Sequence, residues 1–334
     1  MTDTTITFGN SPKPLMFKVR NILTRNGTLS AFFLLILVNL AITPNFLEIQ
    51  TLYVNLTQVA TIAIVAIGMT LVIASGGIDL SVGALMALAG TVAPLIMLSD
   101  FGMSNPSIGL MVAIPVALLA ASAGGLFNGV LVSRYNIQPI IATLVLFISG
   151  RGIAQVLTNG ELQSFDIPAF EFLGTGRLLG IPFQAVITVV LALVCAWTLR
   201  RSIFGRYLLA VGGNEKAAQL AGVPVKKVKL VTYTVCGLLA GIAGLITTAI
   251  NAASDANQTG QLMELDAIAA AVVGGALLTG GKAPVIGAVL GAAIIQLMGY
   301  TLLANGVHDA VAMVAKAFII IVAVYLQQMR GGSK

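Results

Sequence analysis

The sequence predicts an all-α polytopic membrane protein of about ten transmembrane helices, with N- and C-termini cytoplasmic. Three observations lead there. The first is composition: 57% of the 334 residues are hydrophobic and 9% are charged, whereas a soluble domain carries about 25% charged residues. Such a chain has too few polar groups to cover its own surface, so lipid is its solvent. The second is the texture of the apolar runs. They approach the roughly 20 residues that cross a bilayer as a helix, and they lack the alternation of a barrel strand. Helices satisfy every backbone group internally, as hydrocarbon demands. The third is that basic residues gather in alternate loops.

Taken in order, residues 1–27 are polar and carry Pro12, Pro14, Lys13, Lys18, Arg20 and Arg25. No small-residue cleavage pattern follows the next apolar run, so this is a cytoplasmic tail rather than a signal peptide. Spans are expected near 28–43, 51–75, 81–98, 107–132, 137–157, 181–199, 230–250, 264–280, 284–304 and 308–326. The first and eighth are short and read as tilted or incomplete crossings. This placement puts 15 of the 18 Lys and Arg inside: the four of the tail, Arg134, Arg200, Arg201, Arg206, Lys216, Lys226, Lys227, Lys229, Lys282, Arg330 and Lys334. Arg177 falls outside, and Arg151 and Lys316 fall within spans. That asymmetry sets the orientation. The net charge of +6 therefore reflects topology, not nucleic-acid binding. Residues 28–157 form a first transmembrane half and 181–330 a second. An acidic periplasmic loop, 158–180, joins them, and the second half includes a basic cytoplasmic loop, 200–229.

The chain breaks at Ser75-Gly76-Gly77-Ile78-Asp79. Paired glycines free the backbone to leave the helix, and Asp79 stands where a new helix starts, able to accept an orphan N–H. A carboxylate at a bilayer centre costs about 2.5–3.5 kcal/mol on insertion scales. Asp79 therefore either caps the third span at the cytoplasmic boundary or lines a wet path. Glu264 and Asp266 sit similarly at a helix start, where acids oppose the dipole favourably. Ile78-Asp79-Leu80 and Leu265-Asp266-Ala267 each open the third span of a half. Five spans per half would make the two halves inverted, an arrangement that places transport sites at their interface.

In the inward loop, Asn214 is a candidate N-cap and Gly222 a candidate C′ residue. Ala217, Ala218 and Ala221 would give the short helix between them one smooth face. A loop of 30 residues here needs a reason; alone, it reads equally as a basic segment against anionic lipid. The run Gly275-Ala276-Leu277-Leu278-Thr279-Gly280-Gly281-Lys282-Ala283 is no phosphate loop, because Ala276 and Ala283 replace the first glycine and the hydroxyl of the motif. No nucleophile–base or metal set appears, and the single His308 excludes a histidine cluster. An enzyme is not expected, and energy must come from another polypeptide.

Three blocks carry a family resemblance: Ser75-Gly76-Gly77-Ile78-Asp79-Leu80-Ser81-Val82-Gly83; Gly212-Gly213-Asn214-Glu215-Lys216 through Gly222; and Glu264 through Ala269 into Gly274-Gly275 and Gly280-Gly281. The chain resembles the permease subunits of bacterial ABC monosaccharide importers of the ribose and galactofuranose type, over about residues 50–325. The resemblance implies a cytoplasmic ABC ATPase, a second permease subunit, a periplasmic sugar-binding protein and an inner-membrane location. It implies no cofactor on this chain, with ATP and Mg held by the ATPase. It makes Gly213, Asn214, Glu215, Ala217, Ala218 and Gly222 the coupling helix that docks on that ATPase. Gly76, Gly77, Asp79, Glu264 and Asp266 become a helix break or gate.

Neutral side chains in the spans supply a path for a polyol: Asn55, Thr57, Gln58, Asn128, Thr143 and Gln296. Each reads equally as interhelical glue worth about 0.6 kcal/mol. Gly237-x-x-x-Gly241 and Gly287-x-x-x-Gly291 are packing faces. Cys195 and Cys236, in apolar runs, are expected reduced and buried. Arg151 is close enough to a span end to snorkel, and Lys316 needs a partner such as Asp309. An ion-coupled transporter and an ABC permease for amino acids are the alternatives. The first would need Asp79 or Asp266 to titrate; the second would need more charge within the spans.

Overall fold

A computed structural model describes residues 27–308, 310–315, 317, 318 and 321. The expectations for Lys13, Lys18, Arg20, Arg25, Asp309, Lys316, Arg330 and Lys334 lie outside the described residues.

The protein is a helical bundle. Helix α1 (Gly27–Ile42) leads to α2 (Ile49–Ala74), α3 (Val82–Met97) and a one-turn α4 (Asp100–Ser104). Then come α5 (Pro106–Arg134) and α6 (Pro139–Leu157). Both open with Pro at N1, where the missing N–H is no loss and φ is preset. The segment before α8 (Phe183–Arg201) holds β1 (Gln163–Ser164), α7 (Pro168–Thr175) and a small hairpin of β2 (Arg177–Leu178) and β3 (Ile181–Pro182). Next are α9 (Ile203–Gly213), α10 (Glu215–Leu220), α11 (Val225–Asn251), β4 (Ala253–Ser254), α12 (Met263–Val273) and α13 (Val285–Ala304).

Among the described residues, six helices are long and apolar enough to cross a membrane: α2, α5, α6, α8, α11 and α13. Helices α1, α3 and α9 are apolar but shorter. Residues 60–74 of α2 are buried on every face, as an apolar helix without a polar stripe requires. Helices α8, α11, α12 and α13 pack around it, and α11 also packs on α3 and α5.

Lipid gives apolar side chains little reason to prefer each other, so close backbone approach supplies the packing. At the α5–α11 contact, a Cβ on Gly125 would lie 2.4 Å from Tyr233 O, and one on Gly237 2.6 Å from Ala121 O. At the α12–α13 contact, a Cβ on Gly291 would meet Ala270 O at 2.0 Å. Both small-residue motifs read from the sequence are therefore packing faces.

The expected eighth span, 264–280, is corrected. Helix α12 stops at Val273, and Gly275 turns the chain away with φ +97°. Its 11 residues span about 16 Å, roughly half a bilayer core. Its N-terminus reaches the start of α3: a Cβ on Gly83 would lie 2.2 Å from Gly260 O. The two short helices thus begin together inside the bundle and diverge, α3 toward β4 and α12 toward Gly287 of α13.

The two long loops are not plain connectors. The segment 158–180 is fastened by β1 pairing antiparallel with β4, by the fully buried Phe170 of α7, and by Gly174 against the backbone of Ile250. The segment 200–229 holds α9 and α10.

Candidate functional site

The first break lies between α2 and α3. Gly76 adopts φ +85°, and Gly77 leaves room for the Tyr233 hydroxyl, which a Cβ there would approach to 2.3 Å. Asp79 is 0% exposed. Its Oδ1 accepts from Ser81 N at 2.9 Å and from Ser81 Oγ at 2.6 Å, and Asn128 Nδ2 donates to Ser81 Oγ at 2.8 Å. The Cys236 thiol lies beside the carboxylate. Thr143 Oγ1 accepts from Leu80 N at 3.1 Å, pinning the break to α6. Asp79 thus accepts a backbone N–H at the start of α3, and it does so fully buried. It is enclosed by α5 and α11, and Ser81 occupies the N-cap position. Asp79 Oδ2, Asn128 Oδ1 and the Tyr233 hydroxyl are buried without a hydrogen-bond partner. Each such unpaired group is costly in a low-dielectric interior, a cost that the surrounding packing offsets.

The second break runs from Ala252 to Leu262, both with positive φ. Arg151 fastens it. Its guanidinium donates to Ala256 O at 2.8 Å, Asn257 O at 2.9 Å and Thr259 O at 3.2 Å, and Gln155 donates to Asn257 Oδ1 at 2.6 Å. Arg151 does not snorkel. Its planar fork satisfies carbonyls that helix geometry has released, a task a point charge performs poorly. Glu264 is 5% exposed with Oε2 against Gly83. It stands in the first turn of α12, whose N-cap is Leu262, where an acid opposes the helix dipole favourably. Asp266 lies in the same first turn.

The expected path residues divide into two groups. Gln58 of α2 is exposed, and its Oε1 accepts from Gln296 Nε2 of α13. On the neighbouring turn Asn55 donates to Thr51 O at 2.9 Å. Thr57 accepts from Gln184 at 2.7 Å. Asn128 and Thr143 belong instead to the Asp79 break. Sequence order carries no trace of this division, because it follows from which helices neighbour α2.

Helix α10 forms as its ends dictate. Asn214 Oδ1 accepts from Ala217 N at 3.0 Å, and Gly222 turns the chain with φ +80°. Ala218 faces inward, 6% exposed, so it is not part of an outer smooth face. It is the buried residue of this short helix, which starts afresh after the extended Asn214. The outer face presents Ala217, Ala221, Gly213 and Leu220, the last 91% exposed. Leu220 was not singled out from sequence, where one leucine in an apolar chain carries no signal. The same is true of Ser81 and Tyr233. Cys236 is buried as expected, while Cys195 is only half-buried.

A bundle of membrane-length helices with two breaks meeting in its interior defines a multi-pass membrane transport protein. The family model described as the permease component of the branched-chain amino acid transport system matches residues 52–324. The chain belongs to that family, whose members are transport permease components rather than enzymes, and it is a multi-pass protein of the bacterial inner membrane. A galactofuranose transporter permease protein of Escherichia coli K12 is 40% identical over 311 residues, covering 90% of this chain and 89% of that protein. The ribose import permease protein of the same organism is 38% identical over 315 residues, covering 92% and 95%. A fructose import permease protein of Bifidobacterium longum is 36% identical over 327 residues, covering 92% and 89%. No solved structure matches the chain.

Proposed function

We propose that this chain is a permease subunit of an ATP-driven ABC importer, and that its cargo is a monosaccharide of the ribose or galactofuranose kind. The observation that carries this reading is similarity to sugar permeases along nine-tenths of the chain, at 36–40% identity. It outweighs the amino-acid label of the family, since the bundle offers neutral amides where a zwitterion would want charge. A secondary transporter is not favoured, because full-length relatives are named as import permeases.

In this reading ten helical segments cross or enter the membrane, both termini are cytoplasmic, and residues 28–157 and 181–330 are two inverted halves. The abutting starts of α3 and α12 support the inversion. The end bearing Arg134, Arg200, Lys216, Lys229 and Lys282 is cytoplasmic. The segment 158–180 faces the periplasm and receives the sugar-binding protein. A second permease, identical or related, completes the conduit. Gln58 and Gln296, with Asn55 nearby, line the path, handing a polyol along by hydrogen-bond exchange. Gly76, Gly77, Asp79, Asn128, Thr143, Glu264 and Asp266 hold the breaks that close it. Helix α10 docks on the ATPase through Gly213, Asn214, Ala217 and Gly222, Leu220 entering its cleft, while Glu215 ties the helix to the body and Ala218 braces it from behind. ATP and Mg are bound by that partner and not by this chain.

Two measurements test the reading. Proteoliposomes holding the permease, its ATPase and its binding protein should accumulate one of labelled ribose, galactofuranose or fructose only with ATP, whatever uncoupler is added. Uptake without ATP, or of none of the three, would reject it. Leu220→Asp should abolish copurification of the ATPase while the permease stays folded in the membrane; retained copurification would reject the docking role of α10.

A further inference from the structure

Helix α10 touches the body through few groups. Glu215, its first residue, forms an ion pair with Lys229 of α11, Oε2 to Nζ at 2.7 Å, the one salt bridge among the described residues. Glu215 is 51% exposed and Lys229 only 15%. Lys229 does more than hold Glu215. It lines a small cavity together with Ser75, Gly76, Gly77 and Tyr233. Tyr233 lies one turn further along α11, and its hydroxyl presses on Gly77. Cys236, three residues beyond, lies beside Asp79. One face of α11 therefore runs from α10 to the first break without interruption.

A second contact stands beside it. Gly212, two residues before the N-cap of α10, packs against the last residue of α2: a Cβ there would lie 1.7 Å from Ala74 O and 2.6 Å from Gly281 N. Gly281 N donates to that same Ala74 O at 3.0 Å. Gly280, φ +89°, would drive a Cβ to 2.6 Å from Gly212 O. Two glycine pairs nearly 70 residues apart in sequence thus close on a single carbonyl at the edge of the break.

We infer that the Glu215–Lys229 ion pair is a coupling tether: it makes α11 move with α10, so that a displacement of α10 reaches the Ser75–Ser81 break through Lys229, Tyr233 and Gly77, while the Gly212–Ala74–Gly281 joint is the pivot. This rests on the reading that α10 docks on an ATPase. Glu215 then faces the permease body, and its task is transmission rather than partner contact. Both residues are positioning residues.

The pair predicts a defect in coupling with docking preserved. In proteoliposomes with ATPase and binding protein, using the sugar that the uptake assay identifies, Lys229→Met should lower sugar moved per ATP hydrolysed about fivefold, the upper range for a partly exposed pair. ATPase copurification and thermal stability in detergent should match the parent. Lys229→Arg, which keeps the pair, should stay coupled. The double exchange Glu215→Lys with Lys229→Glu should recover most of what either single exchange loses. Normal coupling in Lys229→Met would overturn the inference. So would loss of ATPase copurification in that variant, which would make Lys229 a docking residue, or failure of both the Arg variant and the double exchange. Failure of the docking reading itself is separate: it shows as ATPase retained by Leu220→Asp.

Discussion

Gly83 and Gly260 touch backbone to backbone, so that a Cβ on Gly83 would stand 2.2 Å from Gly260 O and one on Gly260 2.4 Å from Gly83 O. Gly83 lies in the first turn of α3, just past the break entered from α2, and Gly260 lies in the break entered from α11. Their contact holds the starts of α3 and α12 together, and neither residue has room for a side chain. Each break on its own would expose unpaired backbone to hydrocarbon, which is tolerated only where protein covers it. Here α5, α6 and α11 enclose the first break, and Arg151 of α6 satisfies the carbonyls of the second.

Gly83→Ala should therefore loosen the centre of the bundle. Overpacking of this kind costs about 1–3 kcal/mol, read as a fall of several degrees in the melting temperature of the purified protein. Gly152→Ala is the control, since nothing lies within 4 Å of a Cβ there. Equal melting temperatures for the two variants would show that the Gly83–Gly260 contact is not a constraint.

Arg151→Met should release the second break. Three carbonyls, of Ala256, Asn257 and Thr259, lose their donor, at an expected cost of about 2–4 kcal/mol. Amide hydrogen exchange across 252–262 should speed up while residues 60–74 of α2 stay protected. Arg151→Lys should rescue poorly, because an ammonium lacks the fork. Unchanged exchange in Arg151→Met would remove this role.

Gln58→Leu with Gln296→Leu distinguishes a path from glue. A membrane amide pair contributes only about 0.6 kcal/mol to packing, so stability should hardly move. Uptake should fall about tenfold, equivalent to roughly 1.4 kcal/mol of lost stabilisation of the moving sugar. Normal uptake with lowered stability would make the pair glue alone.

How much of this was legible beforehand differs by feature. Among the described residues the helices other than α12 lie near where apolar runs place them, because a bilayer imposes a length and a composition that any single segment must meet by itself. The break at Gly76 and Gly77 and the capping of α10 by Asn214 were equally readable, since turn and cap chemistry is settled within a few residues. Asp79 was readable as an anomaly but not as a cluster. Its partners Asn128 and Cys236 lie 49 and 157 residues away, and no local rule reaches so far. The role of Arg151 stays open in the sequence, because a snorkelling arginine and a carbonyl-binding arginine look alike there. The difference is whether released carbonyls stand within reach. Ala218 was placed on the wrong face because a helix of six residues shows too little periodicity to say which side is buried.

By itself the sequence determined the solvent, the helical class, the break at Gly76 and Gly77 and the family, since each depends on composition or on contiguous residues. Only the tertiary structure decided that the breaks meet at Gly83 and Gly260, that Gly212 and Gly281 share the carbonyl of Ala74, and that Glu215 faces Lys229. Those pairings depend on which helices are neighbours. In lipid that choice is made by close fit of small residues summed over whole interfaces, and no stretch of chain contains it.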